Sequence, residues 1–515
     1  MSLSDLLGSA WQGLHAASNP DETAAAEGLE DCLVFFAWSD GTTQARVLSG
    51  RGKDLEAAWA QGTRALEAQG TGMPRDLRVD WVRRVRPLRW AAFKDGLDFP
   101  AAEGLAFDAR CESALLAPQV DSQRHRLLNA PTDDDTTVWA FQTRAVHVDA
   151  SGVHVLAADG HRELQPIDVA LLRRLVAAGA DHLAARVQAD GALAPRTPDA
   201  DAPRAADHAH AVHALLGAWD SAQAETRQAA IHRAPARLTR TLIRPAALPN
   251  DTHVACLVEP GSSDTSLGAN AACIGALVRY TELSRDRRYL PLLDQLARTV
   301  LHMQDPISGR FAHTLHHPSM AEKAEAPGDA CEDDQAIVAL LRLYALTGNR
   351  RWFGAVEKAF EHFVAVGYAN AQDHALCRAT SAFVRYRPEP RHFQFGLQNL
   401  HASLDFALAQ TTAVAALPAQ LAAGAELVAR LDANPAQQPL LDGLDRAALH
   451  RALLHSMQRL ADSHTGPERA MFFAQPAAVE GSFFGDTAQA LGGAMACLKL
   501  VQAPAGAPVR RRAPA

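Results

Sequence analysis

The sequence predicts a mainly α protein: a small α+β domain over residues 1–160, then a ring of paired helices over 165–501. Three observations carry this. Up to about residue 160, apolar residues fall in short alternating runs, the period of half-buried strands. From Pro166 onward the spacing turns helical and no strands are expected. A motif also recurs along the helical part, as it does where helix pairs stack on one another.

In the first region, Cys32-Leu-Val-Phe-Phe-Ala-Trp, Asp40-Gly41 and the run from Thr43 read as a hairpin with an Asp-Gly turn. A helix is expected over Asp54–Ala68, with further strands at Leu77-Arg-Val-Asp-Trp-Val, Val138-Trp-Ala-Phe and Val153-His-Val-Leu. The acidic run Asp133-Asp134-Asp135 reads as a solvated loop rather than a cation site.

In the second region the helical segments lie near 166–188, 206–219, 222–240, 266–284, 287–303, 332–347, 350–366, 372–385, 390–410, 417–432, 445–464 and 486–501. The repeat is Ala276-Leu-Val-Arg-Tyr…Asp286-Arg-Arg-Tyr-Leu against Ala339-Leu-Leu-Arg-Leu…Asn349-Arg-Arg-Trp-Phe, with a shorter copy at Ala382-Phe-Val-Arg-Tyr…Glu389-Pro-Arg-His-Phe. Each copy ends one helix on an aliphatic–Arg–aliphatic run, makes a short polar turn and opens the next helix. Gln188-Ala-Asp-Gly-Ala-Leu and Gln304-Asp-Pro-Ile-Ser-Gly-Arg-Phe both place a Gly turn after a helix. A helix pair cannot bury both faces alone, and six pairs are the number that closes a ring. The tail, 502–515, is rich in Pro, Ala and Gly and is expected to be disordered.

Composition excludes several classes. A net charge of -8 argues against nucleic acid as partner. No uninterrupted run of about 18 apolar residues exists, so no membrane span is expected. The start carries no basic stretch followed by an apolar run, and the seven scattered cysteines suit reduced thiols, so a cytoplasmic protein is expected. Phosphate-binding and dinucleotide-binding glycine loops are absent, as are nucleophile elbows, and no cofactor is expected.

If the even helices line the ring, their starts share one mouth. These starts carry Asp207-His208, Asp264-Thr-Ser266, Glu332-Asp333-Asp334-Gln335, Asp373-His374, Thr411-Thr412 and Asp486-Thr487 with Gln489. Each acid has a structural reading as an N-cap, worth about 1 kcal/mol. Three acids in a row exceed what one cap needs, and neighbouring like charges raise a pKa toward a proton donor's range. Glu332, Asp333, Asp334 and Asp373 are therefore the catalytic candidates. Candidates for substrate binding are His208, His313, His316, His374, Arg378, Asp486 and Gln489. Arg378 lies one turn beyond His374 and could meet a carboxylate. Of His208, His210 and His213 only the last two align, so no metal is expected. Cys377 is a weaker candidate nucleophile, with His374 one turn away. Two carboxylates about 5 Å apart would imply a retaining hydrolase, and about 6.5–9.5 Å an inverting one.

The hairpin count, the Leu/Ala-rich stretch Ala336-Ile-Val-Ala-Leu-Leu-Arg-Leu-Tyr and the Gly turns resemble the six-hairpin (α/α)6 toroids of glycosidases, uronic-acid epimerases and polysaccharide lyases. The resemblance covers about two-thirds of the chain and brings no catalytic signature with it. It implies an enzyme acting as hydrolase, epimerase or lyase on a glycan or sugar acid at the mouth. Two alternatives remain open. One is a non-catalytic toroidal binding or scaffold subunit of a biosynthetic complex, with a protein partner docked through the N-terminal domain. The other is an enzyme that modifies a peptide or amino-acid polymer. Zinc toroids are disfavoured by the lack of a Cys-His dipeptide, and terpenoid cyclases by 6% aromatic content.

Overall fold

The structure, a computed structural model, describes residues 2–16, 26–39, 46–68, 76–95, 103–128, 130–149, 152–156, 166–194, 203–219, 225–323, 332–367, 376–410, 413–463 and 483–502. They fall into two compact units, Met1–Leu164 and Gln165–Ala515.

The first unit runs α1 (Leu3–Ala16), β1 (Cys32–Ser39), β2 (Arg46–Gly52), α2 (Leu55–Ala68), β3 (Asp76–Arg89), α3 (Trp90–Asp95), β4 (Gly104–Ala106), β5 (Ala114–Leu115), α4 (Ala117–Leu128), β6 (Thr137–Asp149) and β7 (Gly152–Val155). Its antiparallel sheet has the order β2-β1-β3-β6-β4-β5, and β7 pairs with β6. Period-2 alternation sorts the strands between two cores. Val34, Phe36, Val79, Trp81 and Val146 pack beneath α1 and α2, while Leu33, Phe35, Val82 and Phe141 fill the opposite face. Asp134 and Asp135 pair with Lys94 and Arg89 across an exposed loop, in line with a solvated acidic run.

The second unit is mostly helical: α5 (Val169–Ala185), α6 (Ala205–Gly217), α7 (Glu225–Arg237), α8 (Leu267–Ser284), α9 (Leu290–His302), α10 (Glu332–Thr347), α11 (Arg350–Ala365), α12 (Cys377–Phe383), α13 (Pro390–Ala409), α14 (Leu417–Asp432), α15 (Arg446–Asp462) and α16 (Phe483–Gln502). The even-numbered helices contact one another in a closed cycle: α6 on α8, α8 on α10, and so on to α16, which returns to α6. The odd-numbered helices pack on the outside of their neighbours in this cycle, α9 on α8, α11 on α10 and α15 on α14.

Strands do not vanish after Pro166, and that expectation is corrected. β8 (Ile243–Leu248) and β9 (Asp251–Leu257) form a hairpin. β10 (Asp264–Ser266), β11 (Thr314–His316) and β12 (Ala321–Glu322) form a three-stranded sheet. These strands are short and lie in Pro- and His-bearing connections, so their alternation is masked by polar residues.

The two Gly turns share one physical cause. Gly191 and Gly309 have φ of +85° and +82°. A Cβ at Gly191 would lie 2.3 Å from the Arg233 carbonyl oxygen, and one at Gly309 would lie 2.4 Å from that of Lys358. Each turn lays its backbone on the next outer helix, α7 or α11, which only glycine permits. Gln304 fastens the second turn by donating from Nε2 to the carbonyls of Gly309 and Ala355 at 3.1 and 2.9 Å. Gly191→Ala and Gly309→Ala are each expected to destabilise the protein by about 1–3 kcal/mol. Urea unfolding followed by circular dichroism measures this; an unchanged midpoint for both would contradict the close approach.

Candidate functional site

Successive residues of a helix point about 100° apart, so three consecutive acids cannot share a face. The start of α10 shows the consequence. Glu332 Oε2 accepts from the backbone N–H of Gly268 in α8 at 2.6 Å. Asp333, on the next bearing, is buried with His313, whose Nε2 lies 3.0 Å from Asp333 Oδ1. Asp334 turns the other way, accepting from the Ala379 N–H of α12 at 2.7 Å and pairing with Arg378 Nε at 3.2 Å. Gln335 faces inward. The three acids take different partners, and the first and third satisfy open N–H groups of the two neighbouring inner helices.

The same device recurs around the cycle. Glu259 accepts from the N–H groups of Ala205 and Ala206, capping α6 at 2.7 and 2.9 Å. Gln420 of α14 accepts from the Arg378 N–H of α12 at 3.2 Å. Asp207 of α6 pairs with Arg204, and its Oδ1 would sit 3.1 Å from a Cβ placed on Gly485 at the start of α16. Gly268 is glycine for a related reason, since a Cβ there would meet Glu332 at 2.9 Å.

Inside the cycle, side chains bridge helices that are not neighbours in it. His210 Nε2 of α6 lies 3.0 Å from Gln335 Oε1 of α10. Because the amide oxygen only accepts, the imidazole donates through Nε2. One turn on, Arg342 Nη1 donates to His213 Nε2 at 2.8 Å. Enclosure by protein, then the charge of Arg342, hold His213 well below the ordinary histidine value. Gly275 of α8 faces the His213 ring, where a Cβ would already be in contact at 3.4 Å. Arg342 projects from α10 toward α6, where protein surrounds it although its side chain keeps contact with solvent. Burial first, and Arg378 second, press its pKa down to about 10.

The remaining candidates scatter. His208 is buried with Nε2 at 3.1 Å from the Ala234 carbonyl of α7, on the outer side of its helix. His316 sits on β11 with Nδ1 3.6 Å from Asp264, which Lys323 also pairs. Arg378 does meet a carboxylate, that of Asp334. Gln489 is half-buried on α16. Asp373, His374 and the Thr411-Thr412 pair lie outside the described residues, as do the side chain of Asp486 and residues 503–515 of the tail. Cys377 is buried and donates to Asn399 Oδ1 at 3.1 Å, and burial together with Asp334 pushes its thiol up to about 12, so it holds no thiolate at neutral pH. Sequence reading passed over His210, Gln335 and Arg342 as site residues. The sequence signal for them is the near-helical spacing of His210 with His213, which puts both on one side of α6.

No family model matches this sequence, and no curated protein does. Among solved structures, the chain is similar to cellobiose 2-epimerase from Spirochaeta thermophila at 14% identity and TM-score 0.48, covering 65% of this chain and 98% of that one. It is also similar to a sugar epimerase from a ruminal bacterium (11% identity, TM-score 0.48, 66% and 100% covered). A GH76 α-mannanase from Bacteroides thetaiotaomicron aligns at 10% identity and TM-score 0.43, covering 64% and 95%.

Two outcomes follow from the geometry. Glu332→Ala is expected to cost about 0.5–2 kcal/mol by leaving the Gly268 N–H without its carboxylate, and Glu332→Gln less, because an amide oxygen still accepts. Equal losses in urea unfolding would show that hydrogen bonding is not what Glu332 supplies. Burial keeps the native pKa of both His208 and His213 below the unfolded value near 6.5. The unfolded chain then binds protons that the native chain refuses, so stability is lost as pH falls below about 6.5 and regained above it. The thermal midpoint should drop between about pH 7 and 5.5 and drop less in His213→Gln; a wild-type midpoint flat over that range would contradict it.

Proposed function

We propose that the second unit is an (α/α)6 toroid whose lumen holds a sugar or sugar acid, and that the protein is a carbohydrate-active enzyme. The observation that carries this is the polar set reaching across the cycle, His210–Gln335 and His213–Arg342. Sugar recognition needs such fixed donors and acceptors on rigid elements.

Within that class, the geometry favours proton transfer over hydrolysis. The consecutive acids of α10 are occupied as caps or paired with His313, which leaves no facing pair of carboxylates at this start. His210, held through Nε2 by Gln335, suits a general base acting through its other ring nitrogen on a proton from the carbon next to a carbonyl or carboxylate. Arg378 or Arg342 would stabilise the negative charge that develops on oxygen. Epimerisation returns the proton to the opposite face and needs a second donor, for which Asp373 and His374 are candidates; elimination expels a leaving group instead.

A second reading, a non-catalytic binding or scaffold subunit, is favoured by one observation: Glu332, Asp334 and Glu259 all serve as caps. The two readings separate in heavy water. With a panel of reducing sugars and uronic acids, the enzyme reading expects deuterium to enter the carbon next to the carbonyl, detected by NMR. His210→Asn should slow this by about 10²–10⁴-fold. Cleavage of glycosidic bonds without deuterium entry would sink the proton-transfer reading. Binding with neither cleavage nor exchange would favour the scaffold.

A further inference from the structure

The sequence repeat places further arginines near Arg342 and Arg378, the two given a role in proton transfer. Its aliphatic–Arg–aliphatic runs put Arg279 on α8, Arg342 on α10 and Arg385 just after α12, at corresponding places on three successive inner helices. Arg430, near the end of α14, adds a fourth and lies close enough to Arg385 and Glu426 to feel both charges. With Arg378, five guanidiniums meet three carboxylates: Arg378 pairs with Asp334 at 3.2 Å, Arg279 with Glu282 at 3.5 Å and Arg385 with Glu426 at 2.9 Å. Two positive charges are left over in a chain whose net charge is -8.

The two guanidiniums without a carboxylate are informative. Among the described residues, Arg342 bonds only to the neutral His213. Arg378, Arg279 and Arg385 stand near enough to act on it with like charge, against Glu282 alone with opposite charge. Arg430 has its Nε buried with no hydrogen-bond partner among the described residues. A cation near a helix end gains a few tenths of a kcal/mol from the helix dipole. That gain is available from the outer surface and gives no reason to gather cations on successive helices of one cycle, where they repel one another. An anion bound among them would relieve the repulsion and supply the missing acceptors.

We propose that this guanidinium cluster binds an anionic group, a carboxylate or a phosphate, so that the ligand of the lumen is an acidic rather than a neutral sugar. The proposal rests on the lumen being the binding site. Arg342 and Arg385 would hold the anion directly, while His213, as an acceptor, positions Arg342.

The test is isothermal titration calorimetry on the full-length protein with inorganic phosphate, glucuronate, glucose 6-phosphate and glucose. Phosphate and at least one acidic sugar are expected to bind, more weakly as salt rises, and glucose at least about tenfold less tightly. The preferred arm identifies the anion as carboxylate or phosphate. Arg342→Met and Arg385→Gln should each weaken anion binding by about tenfold to a hundredfold. Arg342→Met should also keep a thermal midpoint no lower than wild type, since it removes a repelled cation; should it fail to fold, Arg385→Gln carries the test. Glucose binding as tightly as glucuronate, or anion affinity unchanged in both variants, would overturn the proposal. Deuterium exchange into neutral sugars without anion binding would overturn it and leave the enzyme reading standing. Arginine-dependent anion binding without exchange or cleavage would support it and count against the enzyme.

Discussion

The helical unit depends on acceptors on neighbouring segments satisfying the open N–H groups at the starts of inner helices. Every helix leaves its first N–H groups without internal partners, and packing inner helices side by side buries those ends. In this protein Glu332 serves α8, Asp334 and Gln420 serve α12, and Glu259 serves α6. The bonds to Glu332, Asp334 and Glu259 are charge-assisted, and each of the four joins two elements rather than closing a helix on itself. The caps therefore fix which helix lies beside which, as well as how each begins. Asp333 extends the arrangement by holding His313 and the chain that leads into β11.

That constraint also shapes what chemistry the interior can offer. Carboxylates drawn aside to cap neighbours are oriented along the wall, not into the space it surrounds. What remains facing inward comes from deeper turns of the same helices: Gln335 and Arg342 on α10, His210 and His213 on α6. Small residues make room for them, as Gly275 does opposite His213. The interior is thus basic and amide-bearing at the level of His210 and Arg342, a setting suited to proton transfer and anion binding more than to a carboxylate pair.

Much of the helical pattern was legible from spacing. The segments expected at 332–347 and 417–432 match α10 and α14, and 266–284 differs from α8 by one residue. Alternation in Cys32-Leu-Val-Phe-Phe-Ala-Trp likewise marked β1, whose odd and even residues do enter different cores. The hairpin β8–β9 was not legible, because Arg244, Pro245 and His253 interrupt its apolar face and its partner strand is only a few residues away. The site was read less well than the helices. Glu332, Asp333 and Asp334 stood out by being adjacent in sequence, yet adjacency on a helix separates side chains by about 100°.

Composition and periodicity alone determined a helical chain with repeated pairs, glycines at two equivalent turns and an arginine at the end of each repeat. These are local properties, set by which residues tolerate a helix, a strand or a positive φ. Only the tertiary structure decided that Glu332 and Asp334 cap other helices, that His208 turns outward while His210 turns inward, and that the repeat's arginines gather where they act on one another. Those outcomes depend on the rotation of each helix about its axis and on the identity of its neighbour. Both are fixed by packing between residues far apart in the chain.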